Sequence, residues 1–175
     1  MPIIQANNAD FTSEIIDLYI NTFSTGLSEQ YINVTELHQY IDAIQAEGNS
    51  LLALDNGTII GALLSCPLLL DNSVPLLISN NFELDKCVYV AEIMVTESAR
   101  GMGIGTKLLN EFFQTVDKSI YTDAFIRVLD ENKGAISLYQ KAGFQPITTI
   151  EQTKKRADGN GTFVMKKIYL HKKLV

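Results

Sequence analysis

The sequence predicts an α/β fold, arranged as a single domain over residues 1–175, and three observations carry that expectation. Segments with apolar residues at helical spacing alternate with short β-branched and apolar runs that suit strands. Hydrophobic residues make up 46% of the 175 and charged residues 19%, which supplies a continuous core and excludes global disorder. No internal repeat, linker or low-complexity tract divides the chain.

Ile3-Ile4-Gln5-Ala6 reads as a short opening strand. Asp10 is placed to cap a helix that carries Phe11, Ile15, Leu18 and Tyr19 at helical spacing and breaks at Ser24-Thr25-Gly26. A second helix runs from about Thr35, with Leu37, Tyr40, Ile41 and Ile44 on one face, and stops at Gly48-Asn49. Asn56-Gly57 sits between two apolar runs and predicts an antiparallel hairpin. Pro67 to Lys86 reads either as short strand extensions or as a loop covering a site or an interface. Cys87 to Val95 has the β-branched, apolar character of a central buried strand. Beyond it, Ile104, Leu108, Leu109, Phe112, Phe113 and Val116 form one helical stripe. Asp123 to Leu129 is the next strand, and Asn132 to Ala142 a short helix ended by Gly143. Strands from Phe144 and from Gly161 to Leu174 flank the turn Asp158-Gly159-Asn160-Gly161, and Lys154-Lys155-Arg156 reads as a solvated loop.

Charge and cysteine usage narrow the function. With 14 Lys+Arg against 20 Asp+Glu the net charge is −6, which argues against nucleic acid as a partner. The same acidity mildly favours cationic partners. Cys66 and Cys87 form no CxxC pair and no Cys/His cluster has zinc spacing, so no metal site is expected. Met1 to Asn7 lacks the basic and apolar regions of a signal peptide, and the apolar run Ile59–Leu70 is interrupted by Gly61, Ser65 and Pro67. A cytoplasmic protein with no membrane partner is the expectation. His38 and His171 stand isolated and read as surface or packing residues.

The most informative segment is Arg100-Gly101-Met102-Gly103-Ile104-Gly105-Thr106, between a strand and a helix. Glycines there let main-chain N–H groups turn outward, and the helix adds the positive end of its dipole. Together they form an anion site suited to a phosphate or pyrophosphate, with Arg100 adding a guanidinium. The order Gly105-Thr106-Lys107 departs from a P-loop, and alternate glycines at 101, 103 and 105 depart from the Gly-x-Gly-x-x-Gly dinucleotide pattern.

This loop resembles the Arg/Gln-x-x-Gly-x-Gly/Ala motif of the GNAT superfamily of N-acetyltransferases. Asn132-Lys133-Gly134-Ala135-Ile136-Ser137-Leu138-Tyr139-Gln140-Lys141-Ala142-Gly143-Phe144 resembles that family's second signature, in the expected order and separation. The resemblance covers nearly the whole chain, with Pro67–Lys86 its least typical part. It implies a central mixed β-sheet flanked by helices, and an enzyme that transfers an acetyl group from acetyl-CoA to a primary amine within a ternary complex. It further implies that Arg100, Gly101, Met102, Gly103, Ile104, Gly105 and Thr106 hold the pyrophosphate. Main-chain groups of Ile93, Met94 and Val95 would hold the pantetheine arm and polarise the thioester. Asn132 matches a cofactor-contacting position, and equally suits a helix N-cap.

Tyr139 matches the family's general acid, against the alternative of an aromatic on a core face. Glu92 is a lone carboxylate in an apolar strand, so burial would raise its pKa toward that of a useful base; the alternative is an ion pair with Arg127. The acceptor, a small molecule or a peptide, is expected near Leu27–Tyr40 and Pro67–Lys86, with Tyr31 and Glu36 as lining residues. A homodimer is a family-level expectation. The competing class is an acyl-CoA-binding module of the same fold without turnover.

Overall fold

Seven strands form one mixed sheet in the computed structural model, which describes residues 2–7 and 10–175. The strands are β1 (Ile3–Ala6), β2 (Asn49–Asp55), β3 (Thr58–Pro67), β4 (Cys87–Val95), β5 (Asp123–Leu129), β6 (Gln145–Lys155) and β7 (Thr162–Lys173). Their order is β1-β2-β3-β4-β5-β7-β6. Every neighbouring pair is antiparallel except β4–β5, which is parallel and therefore needs a crossover. Asn56 and Gly57 take φ of 49° and 80°, the paired left-handed conformations that a tight β2–β3 hairpin requires.

Helices α1 (Thr12–Phe23) and α2 (Val34–Glu47) cover one face, burying Ile15, Ile16, Leu18, Leu37, Ile41 and Ile44 against Leu52, Leu64, Tyr89 and Phe125. After α3 (Leu76–Ser79), helices α4 (Ile104–Thr115) and α5 (Lys133–Lys141) cover the other face. The stripe of Ile104, Leu108, Leu109 and Phe112 is fully buried there, and each such side chain contributes about 1.5–3 kcal/mol. Gly61 lets α4 approach β3 closely, since a Cβ there would lie 2.9 Å from Ile104 Cγ2.

The elements lie close to where the sequence puts them, with three differences. Asp10 does not cap α1: the helix starts at Thr12, so Phe11 takes the cap position, and Asp10 sits one residue too early. By contrast, Asn33 caps α2 through hydrogen bonds from the Thr35 and Glu36 N–H groups. In Pro67–Lys86 only Pro67 is in a strand, ending β3 opposite Val88; the rest folds as α3 between 3-10 turns at Leu68–Leu70 and Leu84–Lys86. Its prolines, with Asp71-Asn72-Ser73, favour turns, while Leu68 and Ile78 anchor it in the core. Lys154 and Lys155 are not in a loop but end β6, paired with Phe163 and Thr162, where an edge strand tolerates charge. Met1, the first residue of the segment read as lacking a leader, lies outside the described residues.

One buried ion pair ties the Pro67–Lys86 segment to the sheet. Arg127 Nη1 donates to Asp71 Oδ1 at 3.1 Å and to Tyr169 Oη at 2.9 Å, and Tyr169 Oη donates to Asp71 Oδ2 at 2.7 Å. Arg127 is 17% exposed and Asp71 4%, so removing either partner strands a buried charge. Asp71→Ala is expected to lower the unfolding free energy by about 3–5 kcal/mol in a urea titration. A loss under about 1 kcal/mol would show that the triad adds no more than a surface pair.

The sheet opens in its middle. β4 and β5 pair only over Cys87–Val90 and Asp123–Ile126. Beyond that point β4 stays with β3, while Arg127, Val128 and Leu129 stay with β7. The divergence coincides with a bulge in β4: Leu64 opposes Glu92 and Ser65 opposes Val90, leaving Ala91 as the extra residue. A bulge bends its strand and increases the local twist, which carries Ala91–Val95 away from β5.

Candidate active site

The gap between the diverging strands forms a cavity of about 750 Å³. One wall is the open β4 edge, where Ala91 to Val95 have no strand partner on the β5 side. At one end stands the Arg100–Thr106 loop with the start of α4, and across from it Asn132, Gly134, Ala135, Leu138 and Tyr139. At the other end are Thr22, Phe23, the α1–α2 connection up to Gln30, Arg127, Met165 and Lys167.

The glycine loop has the conformation its residues suggest. Gly101 and Gly103 take φ of 77° and 75°, and a Cβ at either would meet open space. The N–H groups of Gly101, Gly103, Ile104, Gly105 and Thr106 find no acceptor among the described residues, so they are available to an anion at the helix N-terminus. Gly105 serves packing instead: a Cβ there would lie 2.9 Å from Leu138 Cδ2, so it lets α5 close on α4.

Glu92 and Tyr139 both face the cavity. Glu92 Oε1 accepts a hydrogen bond from Tyr40 Oη at 3.0 Å. Burial pushes the Glu92 carboxyl up to about 7; the Tyr40 hydrogen bond and the charges of Lys167, Arg127 and Lys154 oppose that rise. The direct ion pair with Arg127 does not form, because Arg127 is engaged by Asp71 and Tyr169. Tyr139 packs against Phe144 at 6% exposure, and burial, helped by the Glu92 charge, pushes its phenol well above the ordinary range. Tyr139 is thus a packed core aromatic that also borders the cavity.

Asn132 likewise does two things. Its Oδ1 accepts from the Ala135 N–H at 3.1 Å as the α5 N-cap, and the residue lines the cavity. Ile93 and Val95 line the wall, whereas the Met94 side chain points into the core on the α1–α2 face. Met102 is 60% exposed and off the wall.

Tyr31 and Glu36 are not brought to the cavity, contrary to expectation. Tyr31 follows the bridge between Gln30 and Arg156, and its ring lies under the Lys155 ammonium at 5.3 Å. Glu36 is exposed in the first turn of α2. No residue of Pro67–Lys86 lines the cavity either. Of the expected Leu27–Tyr40 region, Leu27, Ser28 and Gln30 do line the cavity. The lining residues not anticipated include Lys167, Thr22, Phe23, Thr25 and Gly26. Arg127, weighed only as an ion-pair partner, carries the signal that singled out Glu92, a charge within an apolar strand.

Cys66 and Cys87 are buried, free and away from the cavity, and burial pushes both thiols up to about 12. His171 is not isolated: its Nε2 lies 2.7 Å from Asp123 Oδ1 and its ring packs on Phe82 and Phe125. Among the described residues no group of three His, Cys, Asp or Glu side chains is placed to hold a metal ion, and no helix is long and apolar enough to cross a membrane.

A family model described as "Acetyltransferase (GNAT) family" matches residues 12–144. The chain belongs to the GNAT acetyltransferase family. This GNAT protein is 28% identical to a probable N-acetyltransferase, san, of Drosophila melanogaster over 129 residues, 73% of this chain and 64% of the relative. Over 83 residues it is 31% identical to N-alpha-acetyltransferase 50 of Danio rerio, 47% of this chain and 49% of the relative. The chain thus spans about half to two thirds of the length of those two relatives. The GNAT fold also matches solved structures. The putative acetyltransferase yncA of Salmonella typhimurium, solved with acetyl-CoA, superposes at a TM-score of 0.76, with 16% identity over 100% of this chain and 95% of that one. The ribosomal-protein-alanine N-acetyltransferase of Brucella melitensis superposes at 0.73, with 19% identity over 98% and 99%.

Proposed function

We propose that this GNAT protein is an acetyl-CoA-dependent N-acetyltransferase that acts on a primary amine by direct transfer in a ternary complex. The observation that carries this reading is the composition of the cavity between β4 and β5. Loop N–H groups without acceptors among the described residues, an open strand edge and a carboxylate with a raised pKa all line it. The names of the N-acetyltransferase relatives agree with it.

The residues present fit the donor. Gly101 and Gly103 leave an open cradle that a Cβ would fill, and Arg100 stands beside it. Arg100, the Gly101–Thr106 backbone and Asn132 would hold the pyrophosphate end; main-chain groups of Ile93, Met94 and Val95 would hold the pantetheine arm. Acetyl-CoA, when bound, supplies an activated acetyl group as a thioester, which an amine converts to an amide with release of the CoA thiol. Glu92 accepts the proton that the attacking amine must lose, at a carboxylate whose affinity for it suits neutral pH. Tyr139 keeps its phenol proton at neutral pH and so holds a donatable proton at Oη on the cavity wall. The open β4 edge offers main-chain N–H groups to a developing oxyanion. Because neither cysteine reaches the cavity, the side chains favour direct attack over an acyl-cysteine relay.

Acetyl-CoA-dependent thiol release in the presence of an amine panel, with mass detection of the product, tests the reading. Binding of CoA without thiol release would mark a binding module instead. Tyr139→Phe is expected to lower kcat by about 10²-fold or more while CoA affinity stays within about twofold. Full activity in that variant would remove Tyr139 from the chemistry.

A further inference from the structure

We infer that the acceptor end of the cavity recognises an amine that itself carries a carboxylate, with Lys167 and Arg127 binding the carboxylate while the amine meets Glu92. The inference rests on the amine-acetylation reading above and names the substrate class within it.

Three cations converge on this end. Lys167 lies on β7, opposite Leu129 of β5 on one side and Ile150 of β6 on the other. Arg127 lies two residues before Leu129, on the same strand face. Both line the cavity, and Lys154, on the same face of β6 as Ile150, interacts with Lys167, Arg127 and Glu92. Against these stand two carboxylates, Asp71 and Glu92, and Asp71 is already committed to Arg127 and Tyr169. Neither Lys154 nor Lys167 has a carboxylate within 4.0 Å among the described residues, where the close ion pairs are Lys86–Glu83, Arg127–Asp71 and His171–Asp123.

Arg127 is built as a receptor. Its hydrogen bonds all leave from Nη1, and its guanidinium lies 5.9 Å from the Tyr89 ring centroid and 5.5 Å from that of Tyr169. The remaining N–H groups have no acceptor among the described residues, while the two rings and Asp71 fix the fork in place. A partly buried cation without a counter-ion is costly, and burial together with Arg127 and Lys154 lowers the Lys167 ammonium to about 8.

With Glu92 ionised, the cluster carries one surplus positive charge. A single carboxylate neutralises it; a polyamine would add to it. The local charge therefore opposes the net charge of −6, which by itself had favoured a cationic acceptor. The acceptor chemistry is that of an amino acid, or of a peptide with an acidic residue at its N-terminus.

The test compares free amino acids with their carboxamides, and C-terminally amidated peptides beginning with Asp or Glu with those beginning with Asn or Gln. Each pair is followed by thiol release and by the shift in melting temperature with CoA present. The wild-type protein is expected to favour the carboxylate member by at least about tenfold in kcat/KM. Lys167→Met is expected to treat both members nearly alike, and Lys167→Arg to keep most of the preference. The free amino acids and the peptides separate the two sources of the carboxylate. Equal or greater use of the carboxamides or of polyamines, or an unchanged ratio in Lys167→Met, would overturn the inference. If no amine is acetylated but the carboxylate member alone raises the melting temperature, and fails to do so in Lys167→Met, the recognition stands and the acetylation reading falls. No turnover and no selective shift would overturn the inference.

Discussion

Glu92→Gln is expected to lower kcat by about 10²–10⁴-fold, the range over which a positioned base contributes. Glutamine keeps the shape and can still accept the Tyr40 hydrogen bond, so the loss isolates proton acceptance. In the wild-type protein log kcat/KM is expected to rise with pH through about 7, where Glu92 ionises, and to level off above it. The variant should lack that limb, and a variant with the same rising limb would assign it to another group. Stability should respond in the opposite sense. Burial raises the Glu92 pKa from 4.5 to about 7, so the folded protein holds a proton that the unfolded chain releases. Wild-type stability therefore falls as pH climbs through that window. Glu92→Gln has no such term, so its melting temperature should gain on the wild type between those two pH values.

Gly103→Val is expected to weaken CoA binding by about 100-fold, measured by calorimetric titration. Two effects combine. A φ of 75° is left-handed, and holding a non-glycine residue there costs about 1–2 kcal/mol, more for a β-branched side chain. The valine side chain also grows into the open space of the cradle, displacing a phosphate from N–H donors worth about 1.5–3 kcal/mol each when the acceptor is charged. Stability should fall by the backbone strain alone, about 1–2 kcal/mol or somewhat more, because the side chain meets no protein atoms within 4 Å. Unchanged CoA affinity would refute the assignment of this loop to the cofactor.

Local rules explain why much of the fold was legible. Asn56-Gly57 specifies its hairpin through φ, and the largely apolar character of Cys87–Val95 and Asp123–Leu129, interrupted inside each run by one charge (Glu92, Arg127), specifies central strands. The glycine loop and the Asn132–Phe144 segment were legible because their chemistry lies in consecutive residues. Arg127 and Lys167 were not, since they meet only through the pairing of β5 with β7, at a sequence separation that no periodicity reports. Tyr31 and Glu36 lie off the cavity for a related reason. The α1–α2 connection does reach the cavity, but with Thr22 to Gln30, and the bridge from Gln30 to Arg156 then carries the chain away. The run Lys154-Lys155-Arg156 looked like loop because its polarity was weighed without the alternation that sends Lys154 inward and Lys155 outward.

The gap in the sheet has a mechanical consequence. Only four residue pairs, Cys87–Val90 with Asp123–Ile126, stitch the β1–β4 leaf to the β5–β7–β6 leaf. Past that seam the leaves share no ladder, so a molecule seated between them touches both and supplies cross-links that the backbone lacks. Occupancy of the gap would therefore join two parts of the sheet that the backbone alone leaves unpaired.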